Sequence, residues 1–244
     1  MTQPQHAIPQ AVYEAQLQSF LAECTVTRPE FQAYFRHPIL NEAIPTTPFD
    51  PHYLYHVAWA TRKVAEAVAA GRCQEHVDVS SSLHFCTATA GFVPTRFIDL
   101  RPANIHLDNL VCSQGNLTND AEWYGQYPSL SCMHVVEHIG LGRYGDQLAV
   151  NGDVHAMGNL KRAVSPGGRL LFVVPCGKPE IHFNAHRIYS AAWIHQFFAD
   201  MFELKEFYFI FNDVLRAPVK NIDLVATENI PYGCGCFEFI RRPV

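Results

Sequence analysis

The sequence predicts an α/β domain built on a mostly parallel sheet, and three observations carry that prediction. After about residue 71, short apolar runs alternate with helical stretches, the rhythm of strands buried on both faces by crossover helices. A helical stretch from about Asp153 to Val164 runs into Ser165-Pro166-Gly167-Gly168 and then another apolar run, a stop made of a helix-breaking Pro and glycines that tolerate left-handed backbone. Two carboxylates, Asp78 and Asp99, close the first two apolar runs 21 residues apart, near the spacing of about 20 expected in a nucleotide-binding unit.

In chain order, residues 1–50 are expected to form a helical and irregular extension, and 51–244 the α/β domain. The extension holds a helix-compatible stretch around Val12 to Glu23 and a segment punctuated by Pro29, Pro38, Pro45 and Pro48. Asp50-Pro51 reads as an N-cap followed by Pro at the first helical position; Leu54, Val57, Ala58, Thr61, Val64, Ala65 and Val68 then recur at helical spacing until Gly71. Seven strands are expected: Glu75–Val79, Arg96–Leu100, Leu107–Ser113, Leu130–Val135, Arg169–Pro175, Leu204–Phe211 and Cys236–Arg241. Val154, Met157, Leu160 and Val164 give the helix from about Asp153 to Val164 one apolar face.

Composition narrows the function classes. With 18 Lys+Arg against 23 Asp+Glu, a net charge of −5 supplies no basic footprint for nucleic acid. No apolar run approaches the roughly 18–20 residues that span a bilayer, and the polar start Met1-Thr2-Gln3-Pro4-Gln5 is unlike a secretion signal. A cytoplasmic chain with no membrane partner is expected. Eight cysteines in apolar contexts of a 244-residue chain read as reduced, mostly buried thiols. Cys234-Gly235-Cys236 has one intervening residue and no second pair to complete four ligands, so no metal site is expected.

Segments from about Asp50 to Tyr189 resemble class I S-adenosylmethionine-dependent methyltransferases, in particular an uncharacterised branch. The resemblance rests on His76-Val77-Asp78-Val79-Ser80, Phe97-Ile98-Asp99-Leu100-Arg101-Pro102, His134-Val135-Val136-Glu137-His138-Ile139-Gly140 and Leu160 to Gly168, with Gly140 to Asp146 and Phe183-Asn184-Ala185-His186-Arg187-Ile188-Tyr189 similar to that branch's own signatures. It implies a Rossmann-like, mostly parallel seven-stranded sheet with helices on both faces, and S-adenosylmethionine as cofactor. Ligands of such sheets bind beyond the carboxyl ends of the strands, where Asp78 and Asp99 stand. Asp99 can accept both hydroxyls of a ribose or cap the turn into the next element; Asp78 can organise the loop through backbone amides. By resemblance, Asn116 and Leu117 border the adenine, with Asn116 where many relatives carry an acid, Met133 and His134 line the pocket from the fourth strand, and Leu100 belongs to the cofactor-binding residues.

The first loop departs from the family's Asp-x-Gly-x-Gly-x-Gly. It reads Asp78-Val79-Ser80-Ser81-Ser82-Leu83-His84; Ser80 and Ser82 are small enough for a close backbone approach, whereas His84 is bulky and does not take positive φ cheaply. A methyltransferase-fold scaffold without catalysis is therefore the alternative reading.

Five residues are candidates for the acceptor side. His138 and His186 can serve as a general base, since an imidazole titrates near neutral pH, or as loop anchors. Arg143 and Asp146 can meet an anionic or sugar-like acceptor or pair on the surface, and Arg187 follows His186 in the second signature. The expected acceptor is a small molecule or glycan. Aromatic, Pro-rich residues 29–59 have three uses open to them: a lid, a homodimer contact or ordinary packing. His134-Val135-Val136-Glu137-His138 also matches His-x-x-Glu-His of zinc hydrolases, but that chemistry needs both histidines on one helix, and the β-compatible residues before it and the glycines after it argue against one.

Overall fold

The computed structural model describes residues 7–120, 123 and 126–243; the polar start Met1–Gln5 lies outside them. The chain divides into two compact units, Met1–Phe49 and Asp50–Val244. In the first, helix α1 (Gln10–Thr27) is longer than its apolar pattern indicates and has no buried side chain. Ile8 donates its amide to the Leu40 carbonyl at 2.7 Å.

The second unit opens with α2 (Pro51–Ala69), begun as expected by Asp50, which accepts the Tyr53 amide at 3.1 Å. Its buried stripe differs from the expected one. Leu54 and Ala58 are exposed, while His52, His56, Trp59, Ala60, Lys63, Val64 and Ala67 are buried. Polar residues hide that face in the sequence because each finds its own buried setting. Lys63 lies 2.8 Å from Glu238 and 3.2 Å from Glu206.

Next come β1 (His76–Val79), α3 (Leu83–Ala90), β2 (Thr95–Asp99), β3 (Leu110–Gln114), β4 (Tyr127–Met133), α4 (Gly152–Ala163) and β5 (Val164–Cys176). A hairpin, β6 (Glu180–His182) and β7 (His186–Ile188), precedes α5 (Ala191–Phe198), β8 (Phe202–Phe211), β9 (Val219–Lys220) and β10 (Gly233–Arg241). The main sheet runs β3-β2-β1-β4-β5-β10-β8-β9. Strands β1 to β5 pair in parallel and β10 runs antiparallel to both β5 and β8. The expected seven strands are all present, and the eighth is the two-residue edge strand β9.

Ser165-Pro166-Gly167-Gly168 forms a bulge inside β5 rather than a separate turn: Tyr127 faces Val164 and Ser129 faces Arg169, with Gly167 at φ 75°. β4 stops two residues earlier than expected because His134 takes φ 56°, a left-handed conformation that ends an extended strand.

Alternation along β5 sends Leu170, Phe172 and Val174 to one core and Leu171 and Val173 to the other. The first core includes Met157 and Leu160 of α4 and Ile194 and Phe198 of α5; the second includes Trp59 and Val64 of α2 and Phe85 of α3. Helices thus cover both faces. Each fully buried aromatic contributes on the order of 3 kcal/mol, as Phe-to-Ala losses of about 3–5 show.

Candidate functional site

The carboxyl ends of β1, β2 and β4 open onto a cavity of about 500 Å³ lined by Ser80, Asp99, Leu100, Asn116, Leu117, His134 and His138, among others. This is the crevice where parallel sheets bind ligands. Asp99 ends β2 and accepts the Arg101 amide at 2.6 Å, which fixes its carboxylate at the rim. Asn116 Oδ1 accepts the Thr118 amide at 2.9 Å and its hydroxyl at 2.8 Å.

The first loop solves its glycine deficit locally. Ser80 takes φ 56° at the first glycine position, with its amide on the Ile98 carbonyl at 2.9 Å and Ser81 Oγ accepting the Met133 amide at 2.9 Å. His84 does not intrude: it lies exposed in the first turn of α3, which begins at Leu83, and lines neither cavity described here.

Three expected site residues line neither of the two cavities described here. Asp78 is fully buried; its carboxylate accepts the Ser131 hydroxyl and the Ser81 amide, the latter at 3.0 Å. Burial pushes its pKa up to about 6 against those hydrogen bonds. Ser82 occupies the N-cap position of α3 without a side-chain cap bond and lines neither cavity. Arg187 is buried, with Nη1 donating to the Ile139 carbonyl at 2.8 Å, Nη2 to that of Val150 at 3.3 Å, and Nε 3.5 Å from Asp153. It therefore positions the loop after β4 rather than meeting an acceptor.

That loop is built on left-handed glycines. Gly140 has φ 79°, and a Cβ there would stand 2.1 Å from the Ala149 carbonyl oxygen. Asp146 accepts the Gly140 amide at 2.7 Å and the Tyr144 amide at 3.2 Å. Burial opposes its charge, yet these amides hold its pKa below the usual range. Asp146 does line the larger cavity. The second signature meets the first at Ala185, whose carbonyl accepts His138 Nδ1 at 2.6 Å and Arg143 Nη1 at 3.1 Å.

A second cavity of about 360 Å³ adjoins the first, and Ser80, His134, His138 and Tyr144 line both. His52, Tyr53, Glu137, Arg143, His186 and Tyr232 are among its other walls. Tyr144 lies between Arg101 and Arg143, whose guanidinium carbons are 4.6 and 5.2 Å from its ring centre. Burial lowers the His52 pKa to about 4 and that of His56 to about 3, so both are neutral near pH 7. Burial, with His182 next, lowers that of His186, and burial with Cys234 and Glu137 pushes Tyr232 up to about 12.

His134 and His138 share no helical face. His134 precedes the 3₁₀ turn Val136–His138, its Nδ1 donating to Glu137 Oε1 at 2.9 Å and its Nε2 lying 3.4 Å from Cys234 Sγ. Cys234 is thus partnered by His134, remote in sequence, as well as by Cys236, 4.0 Å away. All eight cysteines are free and six are buried. His52, His56 and Tyr232 are not among the residues that the sequence singles out. His52 and His56, one turn apart on α2, were a detectable signal; Tyr232 reaches the cavity only through the topology.

Comparisons agree with this architecture. The family model described as "Caenorhabditis protein of unknown function, DUF268" matches residues 110–220. No match was found among curated proteins. Among solved structures, the N-methyltransferase NodS from Bradyrhizobium japonicum WM9 in complex with S-adenosyl-L-homocysteine aligns at TM-score 0.55 and 11% identity over 93% of this chain and 98% of that one. A second NodS structure gives 0.52 and 13% over 80% and 98%, and YcgJ from Bacillus subtilis 0.51 and 10% over 78% and 100%. Among the described residues no helix is long and apolar enough to cross a membrane. With its strand order, covering helices and carboxyl-edge crevice, the chain has the fold of the class I S-adenosylmethionine-dependent methyltransferases.

Proposed function

We propose that the chain is an S-adenosylmethionine-dependent methyltransferase acting on a small-molecule or glycan acceptor. The observation that carries this reading is the pair of adjoining cavities at the sheet's carboxyl edge, divided by Ser80, His134, His138 and Tyr144. Methyl transfer needs a donor and an acceptor held side by side, and a larger nucleotide-sized cleft beside a smaller polar one supplies that. NodS, of the same fold, was crystallised with S-adenosylhomocysteine, which supports the cofactor assignment.

The residues of the larger cavity fit such a cofactor. Its volume falls in the range of about 300–1,000 Å³ typical of ligand sites, Asp99 offers a carboxylate for a ribose, and Ser80 lets backbone pass at close range in the glycine-like conformation. When bound, S-adenosylmethionine supplies an electrophilic methyl group on a sulfonium.

The chain's own residues prepare the acceptor. His138 Nδ1 donates to the Ala185 carbonyl, which leaves Nε2 with a lone pair able to take an acceptor's proton. Arg143, exposed beside it, favours an anionic or hydroxyl-rich acceptor. His186 lines the same cavity and is assigned to binding or orienting the acceptor.

Calorimetry of the full chain with S-adenosylmethionine and S-adenosylhomocysteine tests the reading, together with methyl incorporation into hydroxyl-, amine- and sugar-bearing compounds. Saturable binding and transfer to one of these classes are expected. No heat at millimolar ligand with folded protein would overturn it.

A further inference from the structure

Behind the second cavity, three side chains from distant parts of the chain converge. His52 comes from the first turn of α2, His134 from the end of β4 and Cys234 from the start of β10, and one ligand atom of each lies within 4.8 Å of the others. Two imidazoles and a thiol form a donor set suited to zinc and its neighbours rather than to hard cations.

The geometry around the set is that of ligands held in place. His134 Nδ1 donates to Glu137 Oε1 at 2.9 Å, which holds the ring with Nε2 turned toward Cys234 Sγ. A carboxylate behind an imidazole in this way is the usual outer partner of a metal-bound histidine. Tetrahedral zinc bonds of about 2.0–2.3 Å set donor atoms roughly 3.3–3.8 Å apart; His134 Nε2 and Cys234 Sγ are 3.4 Å apart. The His52 donor lies within 4.8 Å of both.

His52 adds an independent observation. It is 4% exposed, and its Nε2 is buried without a hydrogen-bond partner. Burying a polar atom unpaired costs about 1–3 kcal/mol. A thiol of Cys234 donating to His134 Nε2 would satisfy that pair without metal but would leave His52 Nε2 bare. One turn on, His56 donates Nδ1 to the His52 carbonyl at 2.6 Å and also buries an unpartnered Nε2. A cation at this point accounts for an imidazole nitrogen that no protein group satisfies.

We propose that His52, His134 and Cys234 bind one divalent cation of the zinc class. Three protein donors leave a fourth position for water or a substrate heteroatom, and His52 and His134 line the second cavity, from which such a group would approach. Metal content is read independently of methyl transfer, so this inference and the proposed function can fail separately.

The test uses the full chain, purified without a polyhistidine tag, stripped with chelator and titrated with cobalt(II). One equivalent should bind with a near-ultraviolet thiolate-to-cobalt band. Cys234→Ser should abolish that band, and Glu137→Gln should weaken binding about 10–100-fold, with circular dichroism confirming that each variant is folded. Absence of the band in the wild-type chain at excess cobalt would overturn the proposal without reference to any variant. So would an undiminished band in folded Cys234→Ser.

Discussion

His138 Nδ1 lies 2.6 Å from the carbonyl oxygen of Ala185, 47 residues further along the chain. That hydrogen bond ties the turn after β4 to the second signature segment and leaves Nδ1 of His138 as the donor. His138→Ala should therefore leave S-adenosylhomocysteine affinity within about twofold while lowering the rate with an identified acceptor by about 10²–10⁴. Calorimetry and steady-state rates on the same preparation check it; an equal loss in both would mean that the residue only shapes the cavity.

In the proposed function Asp99 holds the ribose of the cofactor. Hydrogen bonds to a charged acceptor contribute about 1.5–3 kcal/mol each, so Asp99→Ala should weaken S-adenosylhomocysteine binding by at least about tenfold. Its own folded-state partner is one backbone amide at the rim, and thermal stability should change little. Unaltered affinity in the calorimeter would assign Asp99 to the turn alone.

Arg187 predicts the opposite pattern. Its guanidinium is buried against backbone carbonyls and Asp153, so Arg187→Met leaves those acceptors unpaired. Breaking a buried pair costs on the order of 3 kcal/mol, a fall in Tm of roughly 6–12 °C for a domain of this size. Differential scanning calorimetry would reveal it, and a variant of wild-type Tm would show that the clamp is dispensable.

His76 and Asp78 make a pH prediction. His76 Nε2 is 2.9 Å from Ser131 Oγ, which donates to Asp78. Burial lowers the His76 pKa to about 3 and raises that of Asp78 to about 6. Between about pH 4 and 6 the unfolded chain protonates His76 and the folded chain does not, so stability falls on acidification; Asp78 is protonated only in the folded chain, so its contribution rises. The two slopes oppose. Asp78→Asn removes the second, and its stability relative to wild type should fall by about 1.4 kcal/mol per pH unit from pH 6 to 4.5. Urea unfolding at fixed pH measures the difference, which a flat curve would contradict.

How much of the site was legible follows from how each residue is held. Asp99 and Leu100 stand at a strand end, and Asn116 and Leu117 just beyond one, so local pattern places them at the sheet's edge. Asp78 reads the same way and ends up elsewhere, because Ser131 on the neighbouring strand draws its carboxylate inward. The serine loop looked deficient, but Ser80 alone takes the left-handed turn and α3 starts early enough to carry His84 away.

The sequence by itself determined the alternation of strands and helices, the Pro-Gly-Gly irregularity and which residues stand at the strand ends that border the cavities, since periodicity, breakers and strand ends are local properties. Tertiary structure decided which residues share a wall. His52, His134 and Cys234 are separated by 82 and 100 positions and converge only because β10 inserts beside β5 and α2 packs across that face. Two buried histidines and a lysine on α2 blur its apolar stripe, and Lys63 is held inside by Glu206 and Glu238 of distant strands, which no local pattern shows.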